Sequence, residues 1–400
     1  MMSSFGRLLL ASAALFAAQP VLAGDIVVTG KPLKDTAAAL AECIKRGCPP
    51  NEDMAATIAH AENQFVSGDY EGARKTLHSS LGRNRKHGKE YPVELSNVLR
   101  ANGRVAEHLG EAKDFQLSTL DMRNTLKDSF GDNDFRTLVA QVEVGDSRAK
   151  LGYPEEAERI YRDVEKRALE AKQFRVASFA RLRVALLTQT RFEDEPSGHN
   201  AAMLDANLAE LIDSPLPESS DFVLAAKVLR ARKDRKAGST ASTDELVRTF
   251  ASAGGTSRPV LLFAEAVSQI DPLEGLAEGM NDNRQAWTRW STNRNGQWVD
   301  IGFWIGQDGH VSDIEVLRQK GSVDWTKPVM KSIAKRVYAP LRKDGDATPG
   351  FYMVERYSLT ARVAQGEETG THLRVREQRP RIEMLELTSD AGEAQVAKAN

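Results

Sequence analysis

Three glycines 42 residues apart constrain this chain more than any other feature. The segments SGDYEGARKTL, LGEAKDFQLSTL and LGYPEEAERIY place Gly68, Gly110 and Gly152 at that spacing, with Ala73, Phe115 and Ala157 each five residues further on. Glycine enters the left-handed backbone region without steric cost, so a periodic glycine marks a periodic reversal. A small or apolar residue just beyond it sits where the two helices leaving the turn touch. Between these marks lie helix-forming stretches such as PVELSNVLRANGRVAEHL and FRTLVAQVEVGDSRAKL, and the loops KHGKEYP and FGDNDF recur at nearly the same interval. The pattern predicts stacked helical hairpins, each burying its apolar face against its neighbours. The register blurs after RFEDEPSGHN, residues 191–200, and AAMLDANLAELI and DFVLAAKVLRARK then predict one or two further helices.

The three segments resemble the tetratricopeptide family in its longer, 42-residue variety, over roughly residues 52–190. The middle copy departs from the family pattern, with Phe115 in place of a small residue. The resemblance implies a concave surface suited to a peptide or a partner helix. The bare alternative is a scaffold that only holds the next domain.

Composition changes after about residue 250, where STASTDELVRTFASAGGTS gives way to PVLLFAEAV. The apolar run at 260–266 reads as a buried strand or as a helix segment, since periodicity does not separate the two. All five tryptophans fall between Trp287 and Trp325, which predicts a core chemistry different from that of the repeats. In WVDIGFWIGQDGHVSDIEVLRQKG, residues 298–321, Val299, Ile301, Phe303 and Ile305 alternate onto one face of a strand. Asp308-Gly309 supplies a hairpin turn, and a second strand follows from about Val311 to Leu317. In DWTKPVMKSIAKRVYAPL, Pro328 suits a first helical turn and Val329, Ile333 and Val337 form one stripe, with Pro340 closing the helix. FYMVERYSLTARV alternates again, with Tyr357, Leu359, Ala361 and Val363 opposed to Arg356, Ser358, Thr360 and Arg362. Strand, strand, helix, strand is a helix packed on one face of an antiparallel sheet.

This order resembles the C-terminal domain of the TonB energy transducers, over residues 298–363. The resemblance implies a periplasmic module that binds the TonB box, a short extended segment of outer-membrane receptors, by adding it as a strand to the sheet edge. The third strand, residues 351–363, is then the expected edge, with Arg356, Ser358, Thr360 and Arg362 on its solvent side. A transducer also keeps an uncleaved membrane helix and a long proline-rich spacer. Here the 15 prolines are scattered and a helical array takes the spacer's place. The module is therefore read as a binding or structural unit.

The first 23 residues have the form of a cleavable secretory signal: Arg7, an apolar stretch from Leu8 to Ala18, and Val21-Leu22-Ala23 before the cut. A retained anchor is the alternative. The signal implies a periplasmic, oxidising compartment, and Cys43 and Cys48 in ECIKRGCPP are the only cysteines. Gly47 and Pro49-Pro50 predict that a helix ends there and the chain folds back, bringing the two sulfurs together as a disulfide. So small a loop contributes about 2 kcal/mol by the chain-closure model. After the cut the chain would open with GDIVVTG, residues 24–30. Ile26, Val27, Val28 and Thr29 suit a strand that adds to this protein's own sheet or to a partner's, or else a tail on the first helices.

The formal net charge of −2, with both signs interspersed, argues against a nucleic-acid surface. Motifs of catalysis are weak. GRNRKHGK, residues 82–89, has five residues between Gly82 and Gly88 where a phosphate loop needs four, and Glu90 follows where Ser or Thr is required. S-x-x-K occurs as Ser147…Lys150 and Ser332…Lys335, but no K-T-G accompanies it. The seven histidines are dispersed, without metal-ligand spacing.

The expected fold class is α+β: a helical hairpin array followed by a small sheet-plus-helix module. The expected divisions are 1–23 signal, 24–50 N-terminal segment with the disulfide, 51–250 array, 255–363 C-terminal module, and 364–400 tail with a possible last strand at RIEMLELT. The expected function is a non-enzymatic periplasmic protein-interaction protein without cofactor, metal or membrane span, using a repeat groove and a sheet edge. The alternatives are a specialised relative of the energy transducers engaging TonB boxes and, further off, a cell-envelope enzyme.

Overall fold

The structure is a computed structural model that describes residues 32–265, 296–342, 350–361, 363–364, 375–376 and 381–388. The signal, the GDIVVTG run and Arg362 lie outside the described residues. The layout is α+β, as expected: helices first, then antiparallel sheets with one helix.

The helices are α1 (Leu33–Arg46), α2 (Pro50–Val66), α3 (Tyr70–Asn84), α4 (Pro92–His108), α5 (Ala112–Phe130), α6 (Phe135–Lys150), α7 (Pro154–Glu170), α8 (Phe174–Asp194), α9 (Gly198–Ile212), α10 (Ser220–Lys236) and α11 (Ala241–Ser252). Consecutive helices pack antiparallel. Gly68, Gly110 and Gly152 all have positive φ, at 84°, 75° and 90°. At each the glycine N–H donates to the carbonyl three residues back and the next N–H to the carbonyl five back, as in Gly68 to Phe65 at 2.9 Å and Asp69 to Gln64 at 2.8 Å. Two carbonyls left over at the helix end are thereby satisfied, and the chain reverses within three residues.

Ala73 and Ala157 are fully buried, and so, within a few per cent, is Phe115. The ring lies beside Gly103 of the facing helix, where an added Cβ would stand at ordinary contact distance, 3.8 Å from Phe115 Cδ2. Ala61, Gly103 and Gly145 form a second series of small residues, also 42 apart, each on the first helix of its hairpin. At Gly145 the space is taken by Tyr161, which would lie 2.4 Å from a Cβ. Ion pairs join helices of successive hairpins at roughly the repeat distance: Arg74–Asp114 at 3.2 Å, Arg100–Glu143 at 3.0 Å, Arg162–Glu210 at 2.9 Å and Arg175–Asp221 at 2.8 Å. Each is partly solvated and contributes little to stability alone, but the set holds neighbouring hairpins in register. The Cys43–Cys48 disulfide is formed, with Cα atoms 5.1 Å apart, tying the end of α1 to the approach to α2. Among the described residues no helix is long and apolar enough to cross a membrane.

The C-terminal module contains β1 (Leu261–Phe263), β2 (Trp298–Gly306), β3 (Val311–Lys320), α12 (Lys327–Ala334), β4 (Val337–Tyr338), β5 (Gly350–Thr360), β6 (Val363–Ala364), β7 (Val375–Arg376) and β8 (Arg381–Glu386). The run at 260–266 thus resolves as a strand at 261–263. The main sheet has the antiparallel order β3-β2-β5-β8, β1 pairs with β4, and β6 pairs with β7. Val299, Ile301, Phe303 and Ile305 of β2 share one face with Met353, Tyr357 and Leu359 of β5, and Val329 and Ile333 of α12 cover them. The hairpin turn is where expected, with Gly309 at φ 83°.

Two expectations for this module fail. The helix stops at Ala334, so Val337 is not on its stripe but in β4, opposite Phe263 of β1. The cause is Arg336, whose guanidinium is drawn into the core to meet Glu355 at 2.8 Å and the Tyr357 hydroxyl at 2.7 Å. The second failure is the sheet edge. β5 is interior, paired to β2 on one side and to β8 on the other.

Candidate functional site

The polar face of the sheet, the one without α12, lies against the helical turns. Arg356 and Asp300, opposite one another on β5 and β2, are both completely buried. The guanidinium grips the carboxylate with two bonds, Nε to Oδ1 at 2.6 Å and Nη2 to Oδ2 at 3.0 Å. Its Nη1 donates to the Phe65 carbonyl at 3.3 Å, and its carbon lies 3.8 Å above the Trp298 ring. Arg318 of β3 reaches the other side of the same carboxylate at 2.7 Å. Burial opposes the charge on Arg356 most strongly, but the hydrogen bonds and charges of Asp300 and Tyr70 together outweigh it and raise its pKa.

The remaining contacts follow the strands in order. Trp298 of β2 packs on Gly68, and the Tyr70 and Ser358 hydroxyls pair at 3.3 Å. Thr360 of β5 donates to the His108 carbonyl at 2.8 Å, and Arg381 of β8 to the Glu107 carbonyl at 2.9 Å. Trp298 and Leu385 join the core built by α2 to α6. The strand order therefore runs along the array: β2 on the first glycine turn, β8 on the second.

The partner-binding edge expected at Arg356, Ser358 and Thr360 is thus occupied twice over. β8 takes the hydrogen-bonding side, and the helical turns cover the side chains, which are all buried. Alternation of polar and apolar residues predicts a boundary between solvent and core. It is instead a boundary between two packed interfaces. The signal that could have shown this is Trp298 and Trp304 on the polar face, where solvent alone would not favour two indoles. Asp300 and the Ala61, Gly103 and Gly145 series were also missed.

His108 sits at this junction between Phe65 and Tyr70, with ring centroids 5.0 and 4.2 Å away. Burial, joined by the nearby Arg381 and Arg356, pushes its pKa down to about 4, against a weaker pull upward from Glu107. A histidine pKa depressed in the folded state means that the unfolded chain binds the proton first. Its contribution to stability is present above pH 6.5 and is lost as pH falls towards 4. Glu62, raised by burial to about 7 against the opposing effect of Arg104, has the opposite sign and gains stability on acidification. The two offset one another in the parent. His108→Gln should therefore leave the Glu62 effect uncompensated, gaining roughly 2 kcal/mol relative to the parent between pH 7 and 4.5, read from urea midpoints. Equal midpoint shifts in both proteins would refute the assignment.

The open surface is elsewhere. Among the described residues β3 pairs only with β2, and most of its side chains are exposed. The register slips twice, between Asp300 and Ile301 and between Gly302 and Trp304, and Asp313 has φ 49°. Such irregularities, with Asp313, Glu315, Arg318 and Lys320, are what keeps a free edge from unselective pairing. Val316 and Leu317 are nevertheless exposed. Beside Leu317 the half-buried Trp304 and Tyr352 rings pack at 5.2 Å, and the Tyr352 hydroxyl bonds Glu315 at 2.9 Å. Tyr352 lies in the space left by Gly302.

The S-x-x-K pairs do not form sites. The Ser147 hydroxyl donates to the Val144 carbonyl and Lys150 pairs with Glu107 at 2.6 Å, while Ser332 is buried and Lys335 pairs with Glu265 at 2.6 Å. Among the described residues no group of histidine, cysteine and carboxylate side chains could hold a metal ion. A shallow crevice with room for little more than a water molecule opens between Glu107, Phe115, Lys150 and Arg381, where the array meets β8. No family model, curated protein or solved structure matches this chain.

Proposed function

We propose that this chain is a non-enzymatic protein-interaction protein of the cell envelope, a tetratricopeptide-like array that holds a TonB-like sheet module and presents its β3 edge to a partner. The observation that carries the reading is β3 itself. Ten residues of strand, with exposed Val316 and Leu317 and an adjoining Trp304–Tyr352 pair, offer main-chain bonds and apolar contacts together. That combination is how a sheet takes up an extended peptide. Positive-φ glycines at the 42-residue interval support the repeat reading. The strand, strand, helix, strand order supports the module reading, with β8 as an addition that closes the edge at β5.

The test is a photo-crosslinking residue at Leu317 in living cells, with exposed Lys166 on α7 as control. The expected result is an adduct at Leu317 alone, mapped by mass spectrometry to one extended peptide of one envelope protein. Adducts of equal yield at both positions, or no foreign adduct at Leu317 in folded protein, would sink the reading.

A further inference from the structure

The open edge lies at one particular end of the molecule. The strands follow the hairpins, with β8 over the α4–α5 turn, β5 between the two turns and β2 on the α2–α3 turn. One step further in the same direction is β3, beyond the first turn, on the side where α1 packs against α2.

That is also where the N-terminal segment leaves. Asn63 of α2 donates to the Thr36 hydroxyl at 3.2 Å, so the start of α1 stands beside the end of α2. With α1 and α2 antiparallel, Pro32, four residues before Thr36, falls about one helical turn beyond Asn63, which is towards the Gly68 turn. Trp298 packs on that turn, and its opposite residue on β3 is Lys320. The end of β3 and the exit of the segment therefore share one corner of the molecule.

We propose that residues Asp25 to Thr29 add to the open edge of β3 as a fifth strand. Ile26, Val27, Val28 and Thr29 form the most strand-prone run in the first 50 residues. Five extended residues span about 17 Å, about half the length of β3, and Gly30-Lys31 links them to Pro32. Both strands run towards the same corner, so the pairing is parallel. The apolar residues of the segment meet Val316 and Leu317, which β2 leaves exposed. The added strand is an internal competitor at the edge assigned above, so it rests on that edge but not on the existence of a partner.

The test is hydrogen exchange of the full secreted chain against Val27→Pro, which keeps the length but removes a donor. Val28→Asp serves as a second variant. Both substitutions lie outside the described residues. The expected result is that amides within residues 314–320 exchange at least tenfold faster in both variants than in the parent. Equal exchange in all three would overturn the proposal. So would protection that appears only in a dimeric fraction, which would mean exchange of the strand between copies. Crosslinking at Leu317 separates this from the partner reading. An adduct to residues 25–29 in the parent supports the added strand, and a partner adduct that rises several-fold in Val27→Pro supports both. A partner adduct with unchanged exchange leaves the partner reading standing and removes the internal strand.

Discussion

Replacing Asp300 with alanine should destabilise the protein by about 3–5 kcal/mol, the range for stranding a buried charge. Arg356 is fully buried and would keep only the Phe65 carbonyl at 3.3 Å and the Tyr70 hydroxyl, neither of them charged. Arg318 would lose the same partner, but it is more than half exposed and turns to water. The reverse substitution is milder. Arg356→Met leaves Asp300 with Arg318 at 2.7 Å, and an apolar chain of similar length fills the space over Trp298. The ordering Asp300→Ala well above Arg356→Met is therefore specific to this arrangement. The pair Asp300→Ala with Arg356→Met should recover most of the loss, because a buried ion pair replaced by apolar groups is often neutral. Urea unfolding of the four proteins closes the cycle. A double variant no better than Asp300→Ala would mean that the pair does more than satisfy itself.

The repeats were legible because a glycine at positive φ is a backbone requirement that no packing change removes. Gly68, Gly110 and Gly152 carry that requirement into the sequence. Phe115 replaces the small residue of the other two copies and is buried nonetheless, a packing outcome that the single position does not display. The α12 stripe was over-extended to Val337 because a four-residue spacing does not reveal where a backbone leaves the helix. What ends it is Arg336 turning inward to Glu355, a contact 19 residues away in sequence. The edge expected at residues 351–363 fails for a similar reason. Arg356, Ser358 and Thr360 read as solvent-facing, yet their partners are Asp300, Tyr70 and the His108 carbonyl, supplied by distant parts of the chain. A strand's period reports that two faces differ, not what covers each. β8 pairs beside β5 across 20 intervening residues, too far for any hairpin signal.

Gly68→Ala should show how far the two parts of the molecule depend on one another. The position combines two requirements, a φ of 84° and the Trp298 ring, whose Nε1 would stand 2.5 Å from an added Cβ. The first costs about 1 kcal/mol and the second, an overpacked contact, about 1–3 kcal/mol. Gly152 is the internal control: it has the same turn and a φ of 90°, but a Cβ there meets nothing within 4 Å. Gly152→Ala should therefore lose about 1 kcal/mol, the backbone share alone. In a Trp298→Leu background the cost of Gly68→Ala should fall towards that of Gly152→Ala, while Gly152→Ala itself stays unchanged. Equal losses at Gly68 and Gly152 in the parent would mean that Trp298 gives way freely. The sheet module would then ride on the array instead of being locked to its first turn.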